Sequence, residues 1–117
     1  MTIAERESGG VIILDVHGRM TIEVEKTILA EKVREVLQQG HKDILVNLAD
    51  VVHVDTSGLC DLVEAYLAAT RREARLKFTG LTPRVRKVLE ITKLLTVFEV
   101  HDSETEALAR FASGAVV

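Results

Sequence analysis

The chain has 117 residues, a formal charge of −3, one Pro and one Cys, with 47% hydrophobic and 28% charged residues. That composition belongs to a globular chain long enough to bury roughly two-thirds of its unfolded surface, around a core of Leu, Val, Ile and Ala because aromatics are only 3%. The acidic balance and the scarcity of aromatic faces argue against nucleic-acid binding, the lone Cys60 excludes an internal disulfide or a multi-Cys metal site, and no apolar run reaches the ~20 residues of a membrane span.

Two β-prone runs open the chain, Ile3 to Glu7 and Val11 to His17. The turn residues Ser8-Gly9-Gly10 join them as a hairpin, and Gly18 is expected to stop the second run. Ile28, Leu29, Val33, Val36 and Leu37 recur at helical spacing, with Gly40 placed as a C-cap. Ile44 to Leu48 predicts a strand. Val51-Val52-His53-Val54 then leads into Asp55-Thr56-Ser57-Gly58. A stripe of Leu59, Leu62, Val63, Tyr66, Leu67 and Thr70 predicts the buried face of a helix closed by Arg71, Arg72 and Arg75. Leu76 to Thr79 predicts a strand, and Gly80 a turn. Thr82 and Pro83 predict the N-cap and first residue of a helix buried through Val85, Val88 and Leu89. Val97 to Val100 predicts the last strand. Ser103 with Glu106 predicts a capping box for a final helix anchored by Leu108 and Phe111, and 112–117 a loose tail. The alternation implies an α/β fold, a mixed and mostly parallel sheet of about five strands with about four helices packed against it and an N-terminal β-hairpin.

In such sheets, sites gather where a strand ends and a helix begins. Asp55-Thr56-Ser57-Gly58 is that place. Asp, Thr and Ser all suit a helix start. A hydroxyl there can also carry a phosphate, because free N–H groups and the helix dipole favour an anion. Phosphorylation adds about −1.5 to −2 charge, here beside Asp55. His53, Asp55 and Ser57 have the residue types of a catalytic triad, but three neighbours on one short segment leave no room for a bridging imidazole, and no Gly-x-Ser-x-Gly elbow surrounds Ser57. No catalytic residue is therefore assigned. His17, His41 and His101 stand apart without metal spacing. Cys60 is expected to be a small buried hydrophobe. Arg84, Arg86, Lys87 and Lys93 form a basic group on the solvated face of the third helix.

The run Val52-His53-Val54-Asp55-Thr56-Ser57-Gly58-Leu59 resembles the signature of the STAS domain family. Leu76 to Thr92, Phe98-Glu99-Val100 and the helix from Ser103 follow that family's order. The resemblance covers essentially the whole chain and implies one STAS domain over 1–117. Members of this length resemble bacterial anti-sigma factor antagonists. For this chain it implies an unphosphorylated form that binds an anti-sigma factor, itself a GHKL-type serine kinase, and so releases a sigma factor. Phosphorylation of Ser57 would end that binding and a serine phosphatase would restore it. Thr56, a second hydroxyl, is the other candidate acceptor. Asp55, Thr56, Ser57, Gly58, Leu59 and Thr21 are the partner-binding residues so implied, with no metal and no cofactor. The single Cys, an N-terminus without the basic start and apolar run of a signal peptide, and the lack of a long apolar run lead to the expectation of a cytoplasmic protein that does not insert into membranes, a monomer or weak dimer. Two departures stand out. Thr21 occupies a place where many members carry Asp, and Thr92-Lys93-Leu94-Leu95 lacks the Gly that often ends the third helix. A STAS subunit of a transporter or lipid-transport ATPase is the alternative, and a small-ligand or nucleotide-binding sensor domain the second.

Overall fold

The computed structural model describes residues 1–21 and 28–113. In chain order it places β1 (Thr2–Ser8), β2 (Val11–Met20), α1 (Ile28–Gln38), β3 (Asp43–Val54), α2 (Thr56–Arg71), β4 (Arg75–Thr79), α3 (Pro83–Ile91), a 3-10 turn at Leu94–Thr96, β5 (Glu99–His101) and α4 (Glu104–Ser113). The five strands lie in the order β1-β2-β3-β4-β5. β1 and β2 pair antiparallel, and the other three pairs are parallel. The mixed sheet and its hairpin are those expected from the alternation of elements.

The period-two alternation of each strand divides the core. Ile12, Leu14, Ile44, Val46, Leu76 and Phe78 point to one face, where α1, α2 and α3 cover them. Val11, Ile13 and Leu45 point to the other, where Ala107 and Phe111 of α4 cover them. Beside that smaller core, Arg6 on β1 joins Asp15 on β2 at 2.6 Å and Glu104 on α4 at 2.6 Å. The Arg6 guanidinium holds both carboxyls below their ordinary range.

Several elements depart from expectation for identifiable reasons. Gly18 does not end β2. It takes φ +104°, and the strand passes through register shifts on both sides of it to Met20. The two apolar runs of β3 form one strand of 12 residues, and from Asp50 onward it pairs with β2 while β4 has already ended at Thr79. On α2 the fully buried residues are Gly58, Asp61, Leu62, Ala65, Ala68 and Ala69, so only Leu62 of the expected stripe is fully buried. Small side chains let the helix approach the sheet closely. Leu59, Val63 and Tyr66 instead pack, half-buried, around the rim of the core. Arg75 belongs to β4, not α2. Its guanidinium donates to both oxygens of Asp43 at 2.8 and 2.9 Å and to the Phe111 carbonyl at 2.9 Å. β5 starts at Glu99 because the 3-10 turn leaves Val97 half-exposed, while Phe98 is buried against the Phe78 and Tyr66 rings. Val88 is only half-buried, as is Leu108. Thr82 caps α3 as expected, its hydroxyl accepting the Val85 N–H at 3.3 Å. Ser103 makes half of the capping box, accepting the Glu106 N–H at 3.1 Å, while the Glu106 carboxylate lies 3.4 Å from His101 Nδ1 instead. Ala112 and Ser113 are helical, and 114–117 lie outside the described residues.

The missing Gly after α3 has a visible consequence. Lys93 takes its place with φ +66°, a left-handed conformation that strains any residue with a Cβ. Lys93→Gly should therefore stabilise the protein by about 0.5–1 kcal/mol. Removing the strain is worth about 1–2 kcal/mol, partly offset by the greater freedom of Gly when unfolded. Chemical denaturation of the two proteins checks this.

Candidate functional site

β3 delivers the chain to α2 at one end of the sheet, and Asp55 makes the junction. Its extended backbone (φ −105°, ψ −169°) donates its N–H to the Met20 carbonyl at 3.1 Å, tying the start of α2 to the end of β2. Its Oδ1 accepts the N–H of Ser57 at 2.9 Å and of Gly58 at 3.1 Å. The Leu59 N–H then closes the first helical turn on the Asp55 carbonyl at 2.9 Å. This is an N-cap supplied by the residue type that suits it.

Gly58 is required at its position by packing. A Cβ there would lie 2.1 Å from the Met20 carbonyl oxygen and 2.7 Å from the Met20 Cβ. Met20 is thus pressed against the first turn of α2, and Thr21 follows it directly. Thr21 is buried, and its hydroxyl finds no hydrogen-bond partner among the described residues. The fold brings the end of β2 to the Asp55–Leu59 turn through Met20. Thr56 is exposed, while Ser57 and Leu59 are half-buried.

One expectation is corrected. The N–H groups of Ser57 and Gly58 are not open to an anion, because Asp55 already takes both. A phosphate on Ser57 would sit beside the cap carboxylate without those two donors. The helix dipole still favours a negative charge here, but without those two hydrogen bonds the phosphate charge adds to that of Asp55 and acts on anything docked nearby.

Cys60 is also corrected, for it is exposed. With Thr56, Leu59, Val63 and Glu64 it lines a shallow groove of about 230 Å³ along α2. The residues at 56, 59, 60, 63 and 64 share one helical face, of which the sequence reading expects Leu59, Cys60 and Val63 to be buried. Asp61 was missed altogether. It is a buried carboxylate inside an apolar stretch, and it accepts the N–H of Leu29 at 2.9 Å and of Ala30 at 2.8 Å. Burial pushes its carboxyl above the ordinary range, and the two N–H groups pull the other way. A charged residue between Leu59 and Leu62 was the available clue.

His53 lies exposed on β3, in register with Arg19 of β2. His17 Nδ1 is 2.9 Å from Asp50, and His101 lies between Glu99 and Glu106. Among the described residues, no group of three or more His, Cys, Asp or Glu is placed to hold a metal ion, and no helix is long and apolar enough to cross a membrane.

The sequence model of the STAS domain family matches residues 2–107. An anti-sigma-B factor antagonist of Staphylococcus aureus is 31% identical over 74 residues, which cover 63% of this chain and 68% of that protein. Among solved structures, an anti-sigma factor antagonist from Mycobacterium paratuberculosis superposes with a TM-score of 0.80 at 19% identity, covering 92% of this chain and 91% of that one. The unphosphorylated form of the anti-sigma factor antagonist SpoIIAA superposes with a TM-score of 0.66 at 16% identity, covering 96% and 99%. At such identities the structures speak for the fold, whereas the family match rests on the sequence itself. With the hairpin, the parallel strands and the Asp55–Leu59 turn all in place, the chain belongs to the STAS domain family.

Proposed function

We propose that this chain is an anti-sigma factor antagonist that acts in the cytoplasm by partner switching. Its unphosphorylated form binds an anti-sigma factor, itself a GHKL-type serine kinase, and thereby frees a sigma factor. Phosphorylation of Ser57 ends the binding, and a serine phosphatase restores it. The protein is a binding module and a kinase substrate, not an enzyme. The observation that carries this reading is the placement of Ser57. It is half-exposed on the first turn of α2, next to a carboxylate that cannot move without uncapping the helix. The name of the Staphylococcus aureus relative supports the partner class. The exposed groove along Thr56, Leu59 and Val63 supplies apolar area for a partner to cover.

Incubation with the cognate anti-sigma factor and ATP, followed by mass spectrometry, tests the acceptor. All of the phosphate is expected on Ser57, and none on the Ser57→Ala protein. Phosphate mapped to Thr56 contradicts the assignment.

A further inference from the structure

The first turn of α1 is held from outside its own segment. Asp61 sits on α2 at 4% exposure, and its two oxygens separately accept the N–H groups of Leu29 and Ala30. These are donors that a residue just before a helix ordinarily serves. Asp61 also lies four residues after Ser57, one turn along the same face of α2. The other charged groups around it are Glu31 and Arg34 on α1, and Glu64 on α2, which lies 3.4 Å from Arg34. One side chain therefore holds the start of α1 from a position one helical turn along from the residue that would carry a phosphate.

We propose that Asp61 is a positioning residue that couples charge at Ser57 to the start of α1, so that a negative group on Ser57 loosens the hold on Leu29 and Ala30. The inference rests on Ser57 being the modified residue, and it adds a second surface to the switch. Its physical basis is repulsion between like charges in a partly buried place. Residues at this spacing have Cβ atoms about 5–6 Å apart, and two charges at about such a separation in partly buried surroundings change the ionisation of one another by roughly ten- to a hundredfold. Asp61 is already under strain from burial, with Glu31 adding to it and Arg34 opposing it. It can relieve further repulsion by taking up a proton or by opening toward water. Either response weakens bonds that use both of its oxygens.

The test uses Ser57→Glu in the full chain, with neither kinase nor partner present. Carbon-13 NMR follows the Asp61 carboxyl through a pH titration, and hydrogen exchange follows the Leu29 and Ala30 amides. Ser57→Glu should raise the Asp61 midpoint by about one pH unit and speed exchange at both amides about tenfold. Ser57→Gln should leave both readings at wild-type values. In an Asp61→Asn background, Ser57→Glu should no longer change the amide exchange. If Asp61→Asn does not fold, the carboxyl titration decides alone. An unmoved midpoint with unchanged or slower exchange overturns the coupling, even if the kinase modifies Ser57. A kinase that modifies another residue instead overturns the reading of Ser57 and leaves the measured coupling standing.

Discussion

Ser57→Asp should weaken binding of the anti-sigma factor by more than a hundredfold, and Ser57→Ala should bind within a few-fold of wild type. The first substitution adds one negative charge on the first turn of α2. Asp55 already holds a carboxylate there and occupies the Ser57 and Gly58 N–H groups. A like charge forced into a contact costs several kcal/mol, and about 3 kcal/mol exceeds a hundredfold in affinity. Ser57→Ala removes only a hydroxyl from a half-buried position. Neither change should unfold the protein, since Asp near a helix N-terminus interacts favourably with the dipole. Titration calorimetry against the anti-sigma factor reads the affinities, and thermal melts of the same samples confirm folding. Wild-type affinity in Ser57→Asp means that charge at this site is not a sufficient switch. A Ser57→Asp protein melting far below wild type requires the comparison to be made with the phosphorylated protein instead.

Gly58→Ala should be the most damaging conservative change in the molecule, costing about 3 kcal/mol or more and lowering the melting temperature by about 10 °C. The added Cβ meets backbone, with the Met20 carbonyl oxygen 2.1 Å away. A flexible side chain could turn aside, but a strand end tied to Asp55 cannot. Relief requires either the end of β2 or the first turn of α2 to move, and the Asp55 to Met20 hydrogen bond links the two. Differential scanning calorimetry checks the outcome. A melting temperature within about 2 °C of wild type would show that β2 and α2 are not locked together.

What the sequence made legible follows from local chemistry. The hairpin at Gly9-Gly10, the Thr82-Pro83 start of α3 and the Asp55 cap each depend on residues within a few positions of one another. Short β-prone and apolar runs bounded by turn residues marked the strands, and the Asp55–Leu59 element carried the family resemblance. Features that depend on packing across the fold were not legible. Helical spacing found α2 but assigned its larger side chains to the core, because spacing alone cannot show that Gly58, Ala65, Ala68 and Ala69 allow a closer approach. Cys60 was expected inside because a lone helical Cys usually behaves as a small buried hydrophobe, and only the packing shows it exposed. Asp61 serves a helix more than thirty positions earlier in the chain, and no local pattern announces such a cap. Gly18 was expected to break β2, but a glycine can also sustain a bulge, and only the neighbouring strand decides between them. Thr21 stands at the site end of β2, while residues 22–27 beyond it lie outside the described residues.

Phosphate on Ser57 is expected to switch off a binding surface without unfolding the protein that carries it. The most direct measurement is calorimetric titration of the anti-sigma factor with the unmodified chain and with the same chain phosphorylated to completion on Ser57. The expected result is saturable binding by the unmodified chain and at least a hundredfold weaker binding by the phosphorylated one, with the two forms melting within a few degrees of each other. Equal affinity of the two forms would contradict the account.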